Sequence, residues 1–485
     1  MRIRQVLSTV LPFVFVWACS GGGSSSTPGA SWEKFRHDVG NSGSGGGSIA
    51  TFSVPTITPR SVPVDAPTPP AFPTSSPTLG AISSSPAIAE DGTVYIGSEG
   101  GTLAAFDASL NLKWRKTECE ACPADSQDLG PLVSSPAVYT LNGQTSIFIG
   151  SSTGSVFAFQ DNGTGQPTCS ACSRWPFGAT PSPGPTPVVQ FLSSPSFTTD
   201  PVISTVNGVF IGAQIETSDG RSIGKLYAFN SDGSVRWQFP RQGQSDIGPV
   251  TSSPGFDSAT GWYFTAADGY LYALGFDGSL RWKSAIGPAF GPTLLFAPAV
   301  LVTDSYIVSL TADGNVFAIT PDQLVSFRVA GADSGIGSSL AFGLRGVETP
   351  SPTPVATAAA PPGSTETETP TETPTAPPPF VYGVTQSGQI VAFDPALPTP
   401  TVFPALSVPV AAPVISSPAR SADGFLVFGD GDGQLHAVST GYGSELTGFP
   451  IQLSAAAIRS SPSIGGDGTI YVGADDGRLY AVGPP

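Results

Sequence analysis

From about residue 80 onward, short apolar runs alternate with turns marked by glycine and aspartate, and one pattern recurs through the rest of the chain. A glycine is followed by apolar residues at alternating positions: G-T-L-A-A-F at Gly101, G-S-V-F-A-F at Gly154, G-K-L-Y-A-F at Gly224 and G-Y-L-Y-A-L at Gly269. Four more copies follow, G-N-V-F-A-I at Gly314, G-Q-I-V-A-F at Gly388, G-Q-L-H-A-V at Gly433 and G-R-L-Y-A-V at Gly477. Alternation at period two marks half-buried strands. The repeat itself returns every 44 or 45 residues where nothing intervenes.

Six of the eight units open with a serine and a proline, at Ser85-Pro86, Ser135-Pro136, Ser194-Pro195, Ser253-Pro254, Ser417-Pro418 and Ser461-Pro462. A β-rich run follows, such as Val94-Tyr95-Ile96-Gly97, then a tight turn and the G-x-L-Y-A-F strand, which is hairpin chemistry. Outer strands end in Lys113-Trp114, Arg236-Trp237 and Arg281-Trp282. A unit of about 45 residues has the length of a four-stranded propeller blade. A lone blade exposes an apolar face, so the blades must stack and close together. The expectation is an all-β, eight-bladed β-propeller of four-stranded antiparallel blades over residues 80–485. The last copy ends at Pro485 without an outer strand, so a segment between Trp32 and Leu79 is expected to supply it and close the ring.

The amino terminus reads differently. Arg2 and Arg4 precede an apolar stretch, Val6 to Trp17, too short for a stable bilayer span, so residues 1–18 read as an export signal. Val16-Trp17-Ala18-Cys19 resembles a bacterial lipobox, which implies lipidation at Cys19, and Ser20 resembles the residue of lipoproteins sorted to the outer membrane. Residues 19–79 then form a Gly/Ser/Pro-rich tether and lead-in, with acyl chains as the only membrane attachment. Two low-complexity stretches, Pro55 to Pro77 and the Pro/Thr-rich insert Thr349 to Pro379, are expected to be extended and solvated. The insert falls inside blade six. It suits a glycosylated spacer or simple drift in a tolerant loop.

Charge narrows the partners. With 36 acidic against 20 basic residues and a net charge of −16, the surface repels nucleic acid and anionic headgroups. The hairpin turns carry Glu99, Asp219, Asp268, Asp313, Asp432 and Asp476, which predicts an acidic rim on one side of the ring.

The D-G-x-L-Y-A-F and D-G-x-x-x-W elements, repeated from Ser83 to Val482, resemble the PQQ-like β-propeller repeat family. The resemblance implies the propeller fold, and with the lipobox it implies a monomeric, non-catalytic scaffold that binds other envelope proteins. The propeller lipoprotein of outer-membrane protein assembly is similar. The partner surface is then expected at the longer loops Thr117 to Val133, Gly178 to Leu192 and Gln214 to Gly224. The alternatives are a surface sugar- or peptide-binding propeller and a quinoprotein dehydrogenase using PQQ and calcium. The dehydrogenases use an adjacent cysteine pair and tryptophan-docked, insertion-rich blades. This chain has no adjacent cysteines and its blades are shorter.

Residues with catalytic or ligand chemistry are few. Cys119-x-x-Cys122 and Cys169-x-x-Cys172 suit a four-thiolate zinc site, a redox pair or disulfides. Matching Trp114 to Trp175 places the two motifs at opposite ends of neighbouring outer strands, and five strand residues span about 17 Å. That register favours two local disulfides, Cys119 with Cys122 and Cys169 with Cys172, over a shared metal. Pro123 and Ser173 stand where a covalent haem motif needs histidine. Asp430-Gly431-Asp432-Gly433 resembles a calcium loop but sits where every blade has a hairpin turn. The chain has two histidines: His37 in the lead-in, and His436 in the slot of Tyr227, Tyr272 and Tyr480, where a packed imidazole is expected. No nucleophile elbow is visible. No catalytic residue, cofactor or metal ligand is therefore assigned.

Overall fold

The computed structural model describes residues 47–49, 59–65, 79–122, 128–174, 188–199, 206–287, 301–302, 306–310, 316–323, 326–329, 340–344, 379–393, 406–440 and 443–483. These residues form strands, turns and bends, with no helix among them. The strands fall into eight antiparallel sheets in chain order, each with four strands in its meander. Blade one is typical, with Ala87–Ile88, Val94–Gly97, Leu103–Phe106 and Leu112–Lys116 from inside to outside. Blade six holds the low-complexity insert between its first strand, Ala341–Leu344, and its second, Pro379–Val384.

The core is a series of layers between neighbouring sheets. Tyr95, Leu103, Ala105 and Trp114 of blade one meet Ile147, Ile149, Phe157 and Phe159 of blade two, all buried. Blades two and three, then three and four, repeat the arrangement. Each blade thus needs its neighbours on both sides.

The Ser-Ser-Pro elements explain how the inner strands register. The first serine accepts from the backbone at the end of strand two, as in Gly97 N–H to Ser84 Oγ (3.2 Å) and Gly473 N–H to Ser460 Oγ (3.0 Å). The second serine joins blade to blade. The N–H of Ser85 donates to Ser135 Oγ, that of Ser135 to Ser194 Oγ, and that of Ser194 to Ser253 Oγ. Ser417 donates to Ser461 Oγ and Ser461 back to Ser85 Oγ (2.8 Å), which carries the relay across the closing seam. Two classes of glycine are fixed by this packing. A Cβ on Gly473, at the end of a second strand, would lie 2.3 Å from Ile82 of the next connection, and Gly477 holds a turn at φ +77°.

Blade eight comprises Ser463–Ile464, Ile470–Gly473 and Arg478–Val482, and Arg60–Pro63 completes it by pairing antiparallel with Arg478–Val482. The closing strand therefore lies within Pro55–Pro77, a stretch whose composition had predicted solvated, unpacked chain. Proline sits there at an edge, where no further ladder bond is required, while Val62 packs partly buried and Val64 is fully buried.

Candidate functional site

The cysteines depart most from expectation. Cys119 is bonded to Cys169 and Cys122 to Cys172, each with Cα atoms 5.3 Å apart, so the bridges join blade one to blade two and not the ends of each motif. A β-bulge is the reason. In the outer strand Thr168–Arg174, Ala158 faces Ala171 and Phe159 faces Cys169, so Ser170 is skipped. Residues three apart in a regular strand point to opposite faces, and the extra residue turns Cys169 and Cys172 to the same one. Blades one, three and four have the same bulge before Trp114, Trp237 and Trp282. Ala171 thus occupies the tryptophan slot in blade two, and Trp175, the residue used to set the register, lies outside the described residues.

Those three tryptophans dock on the following blade. Trp114 Nε1–H donates to Asp161 Oδ2 (2.8 Å), Trp237 to the Phe276 carbonyl (3.2 Å) and Trp282 to the Pro321 carbonyl (3.0 Å). Asp161 also accepts from Tyr95 Oη–H (3.0 Å), and burial with the neighbouring carboxylate raises the Tyr95 phenol well above its usual range.

Several rim carboxylates are bonded to strand tyrosines and to the neighbouring inter-blade connections. Asp268 accepts from Tyr272 Oη–H (2.7 Å) and Gly248 N–H (3.1 Å), Asp476 from Tyr480 Oη–H (2.5 Å) and Ser454 Oγ–H (2.8 Å), and Glu99 from Ser83 Oγ–H (2.6 Å). Burial and the Asp476 bond push Tyr480 up to about 12. Asp219 is held low, to about 2, by Thr217 and Arg221. Asp313 lies outside the described residues. In the Asp430-Gly431-Asp432-Gly433 turn, Asp430 Oδ1 accepts from the N–H groups of Asp432 and Gln434, which is turn chemistry.

His436 lies between two carboxylates, with Nδ1 2.6 Å from Glu445 Oε1 and Nε2 3.3 Å from Asp430 Oδ2. Sequence reasoning missed this grouping because Glu445 comes from the outer connection. Both His436 and Asp430 have zero exposure, and the ring stacks on Phe428. A substrate cannot reach it. His37 and Cys19 lie outside the described residues.

Two surface features remain. Blade three is taller than its siblings: Val206–Glu216 and Ser222–Phe229 continue for four pairs beyond Gly212–Leu226, up to Glu216–Ser222, and Val188–Gln190 adds a fifth strand. Gln214 to Gly224, expected as a loop, is thus a rigid hairpin. It stands on the inter-blade connections, where Val250 N–H donates to Ala213 O and Gly224 N–H to Ile247 O. On the outer edge of blades three and four, Arg236, Trp237, Gln238, Arg241, Gln242, Phe276 and Asp277 line an open cleft of about 660 Å³, with Phe276 53% exposed.

The amino-terminal arm touches the opposite side. Gly47 N–H donates to Gly465 O, and Ser48 Oγ–H and Ile49 N–H donate to Asp423, at the strand one to two turns of blades eight and seven.

No family model matches the sequence, and no curated protein matches it. Among solved structures the chain is similar to BamB from Moraxella catarrhalis, at a TM-score of 0.54 and 14% identity over 88% of this chain and 100% of that one. A europium-containing methanol dehydrogenase superposes at 0.57 with 13% identity, covering 95% of this chain and 99% of that one. The quinohemoprotein alcohol dehydrogenase from Comamonas testosteroni superposes at 0.58 with 13% identity, covering 95% and 82%. At these identities the likeness shows the β-propeller fold alone, a fold shared by both enzymes and BamB. Among the described residues the cysteines are bonded in two pairs across an outer seam, 50 residues apart in sequence, and form no bridge between adjacent cysteines.

Proposed function

We propose that the protein is a non-catalytic, lipid-anchored scaffold of the cell envelope that binds other envelope proteins through the face carrying the inter-blade connections. The observation that carries this reading is the raised, five-stranded blade three beside the disulfide-pinned connection of blades one and two. Both are rigid before any partner arrives, so binding would lose little conformational entropy. The arm at residues 47–49 lies on the opposite face, so a tether from Cys19 would join the ring on the side away from the raised face.

The test is affinity capture from envelope extracts, comparing the intact protein with a variant whose 214–224 hairpin is cut to a tight turn. The variant should keep its melting curve and lose specific partners. An unchanged set of partners would overturn the proposal. Added PQQ and calcium should produce neither a quinone absorbance nor a thermal shift, and either signal would favour the dehydrogenase.

A further inference from the structure

We propose that the four cysteines of the blade one to two seam, when reduced, bind a single zinc ion as a tetrathiolate. The Sγ atoms of Cys119, Cys122 and Cys172 all lie within 4.8 Å of one another, and Cys169 is bonded to Cys119. Zn–S bonds of about 2.3 Å place tetrahedral sulfurs about 3.8 Å apart. Cys169 Sγ falls outside that 4.8 Å group, so completing the tetrahedron requires its side chain to turn towards the other three once the S–S bonds open. The backbone is already arranged for it: Cys122 N–H donates to Cys119 O (3.1 Å) in a tight turn, and the Ser170 bulge presents Cys169 and Cys172 on the facing side. Leu129, Phe157 and Phe159 keep the pocket apolar, and four soft thiolates select zinc over harder cations.

The chemistry balances with a phosphine reductant. Each disulfide takes two electrons and two protons, the phosphine becomes its oxide with oxygen from water, and zinc then displaces the four thiol protons. Blade one would then be fastened to blade two in either redox state, covalently when oxidised and through the metal when reduced.

The test uses the full chain, reduced anaerobically with a phosphine and titrated with cobalt(II) as the optical probe. The expected result is the intense visible absorption of a tetrahedral cobalt tetrathiolate. It should saturate at one cobalt per chain and be displaced by zinc, and zinc should raise the melting temperature of the reduced protein. The oxidised protein should show no such band. Absence of a saturable band in the reduced wild type, an equal band in the oxidised protein, or an undiminished band in Cys119→Ser/Cys172→Ser would each overturn the proposal. The readout is independent of partner capture, so its failure leaves the scaffold reading untouched.

Discussion

Two seams of the ring solve one problem in different ways. Between blades one and two the chain is continuous, and the contact is fastened by two disulfides and by Asp161, which takes both Trp114 and Tyr95. At blade eight the chain closes on itself, its first strand pairing with its last, and the fastening to blade one is a strap. Arg60–Pro63 pairs with the last strand, Arg478 donates to Ser61 O (3.0 Å), and Arg115 of blade one donates to Pro63 O (2.7 Å) and Val64 O (2.5 Å). Asp65 accepts from Gly80 N–H (2.6 Å) and Ser98 Oγ–H, while Ile49, Val64 and Ile82 fill the seam. A closed ring is only as stable as its weakest junction, so the polar strap, and not the stapled seam, is expected to control opening.

Deleting residues 47–65 should break this comparison most severely. Burial of Ile49 and Val64 alone contributes roughly 3–6 kcal/mol, and the last strand would become a bare edge. Aggregation in size-exclusion chromatography and loss of a cooperative melt are expected; a monomer with the parent melting temperature would refute the strap.

At the stapled seam the two bridges should be strongly non-additive. Each closes a loop with a sequence separation of 50, worth roughly 4 kcal/mol by chain entropy for the first bridge formed, whereas the second closes only a short path. Cys122→Ser/Cys172→Ser should therefore cost little, and the fourfold serine variant roughly 4 kcal/mol, in metal-free denaturant melts. Equal costs for the two steps would contradict the cross-seam pairing.

Asp161→Ala should cost roughly 2–4 kcal/mol, because two buried donors lose one acceptor, and Asp161→Asn should recover part of it. No loss in either variant would show that the Trp114 and Tyr95 bonds do not secure this seam.

The smallest effect sharpens the contrast by pH. Tyr471 of blade eight donates to Ala108 O of blade one (3.0 Å), and burial pushes its phenol up to about 12. A tyrosine raised above its unfolded value of about 10 keeps its full contribution below that pH and loses it as pH climbs through the folded value. Melting temperature should hold to about pH 10 and fall between about 10 and 12. Tyr471→Phe should cost about 1 kcal/mol at neutral pH and reduce that alkaline loss; an identical alkaline slope in the variant would remove Tyr471 from the explanation.

Some of this was legible in the residues alone. Alternation and the returning Gly-x-Leu-Tyr-Ala-Phe strand determine the eight four-stranded sheets, because side-chain direction in a strand depends only on local sequence and a one-sided apolar sheet must be covered by the next. The expected amino-terminal closing strand is Arg60–Pro63, paired with Arg478–Val482. What the tertiary structure alone decided depends on register and on distant neighbours. The Ser170 bulge reverses the face of one cysteine and so changes the pairing of four. Arg60–Pro63 is a strand only because an unfilled edge awaits it. Gln214–Gly224 is a hairpin because Ile247 and Val250 support it, and His436 meets Glu445 through the fold of the outer connection. One skipped residue, or one partner from far along the chain, leaves no periodic signal, and these are the features that shape the candidate sites.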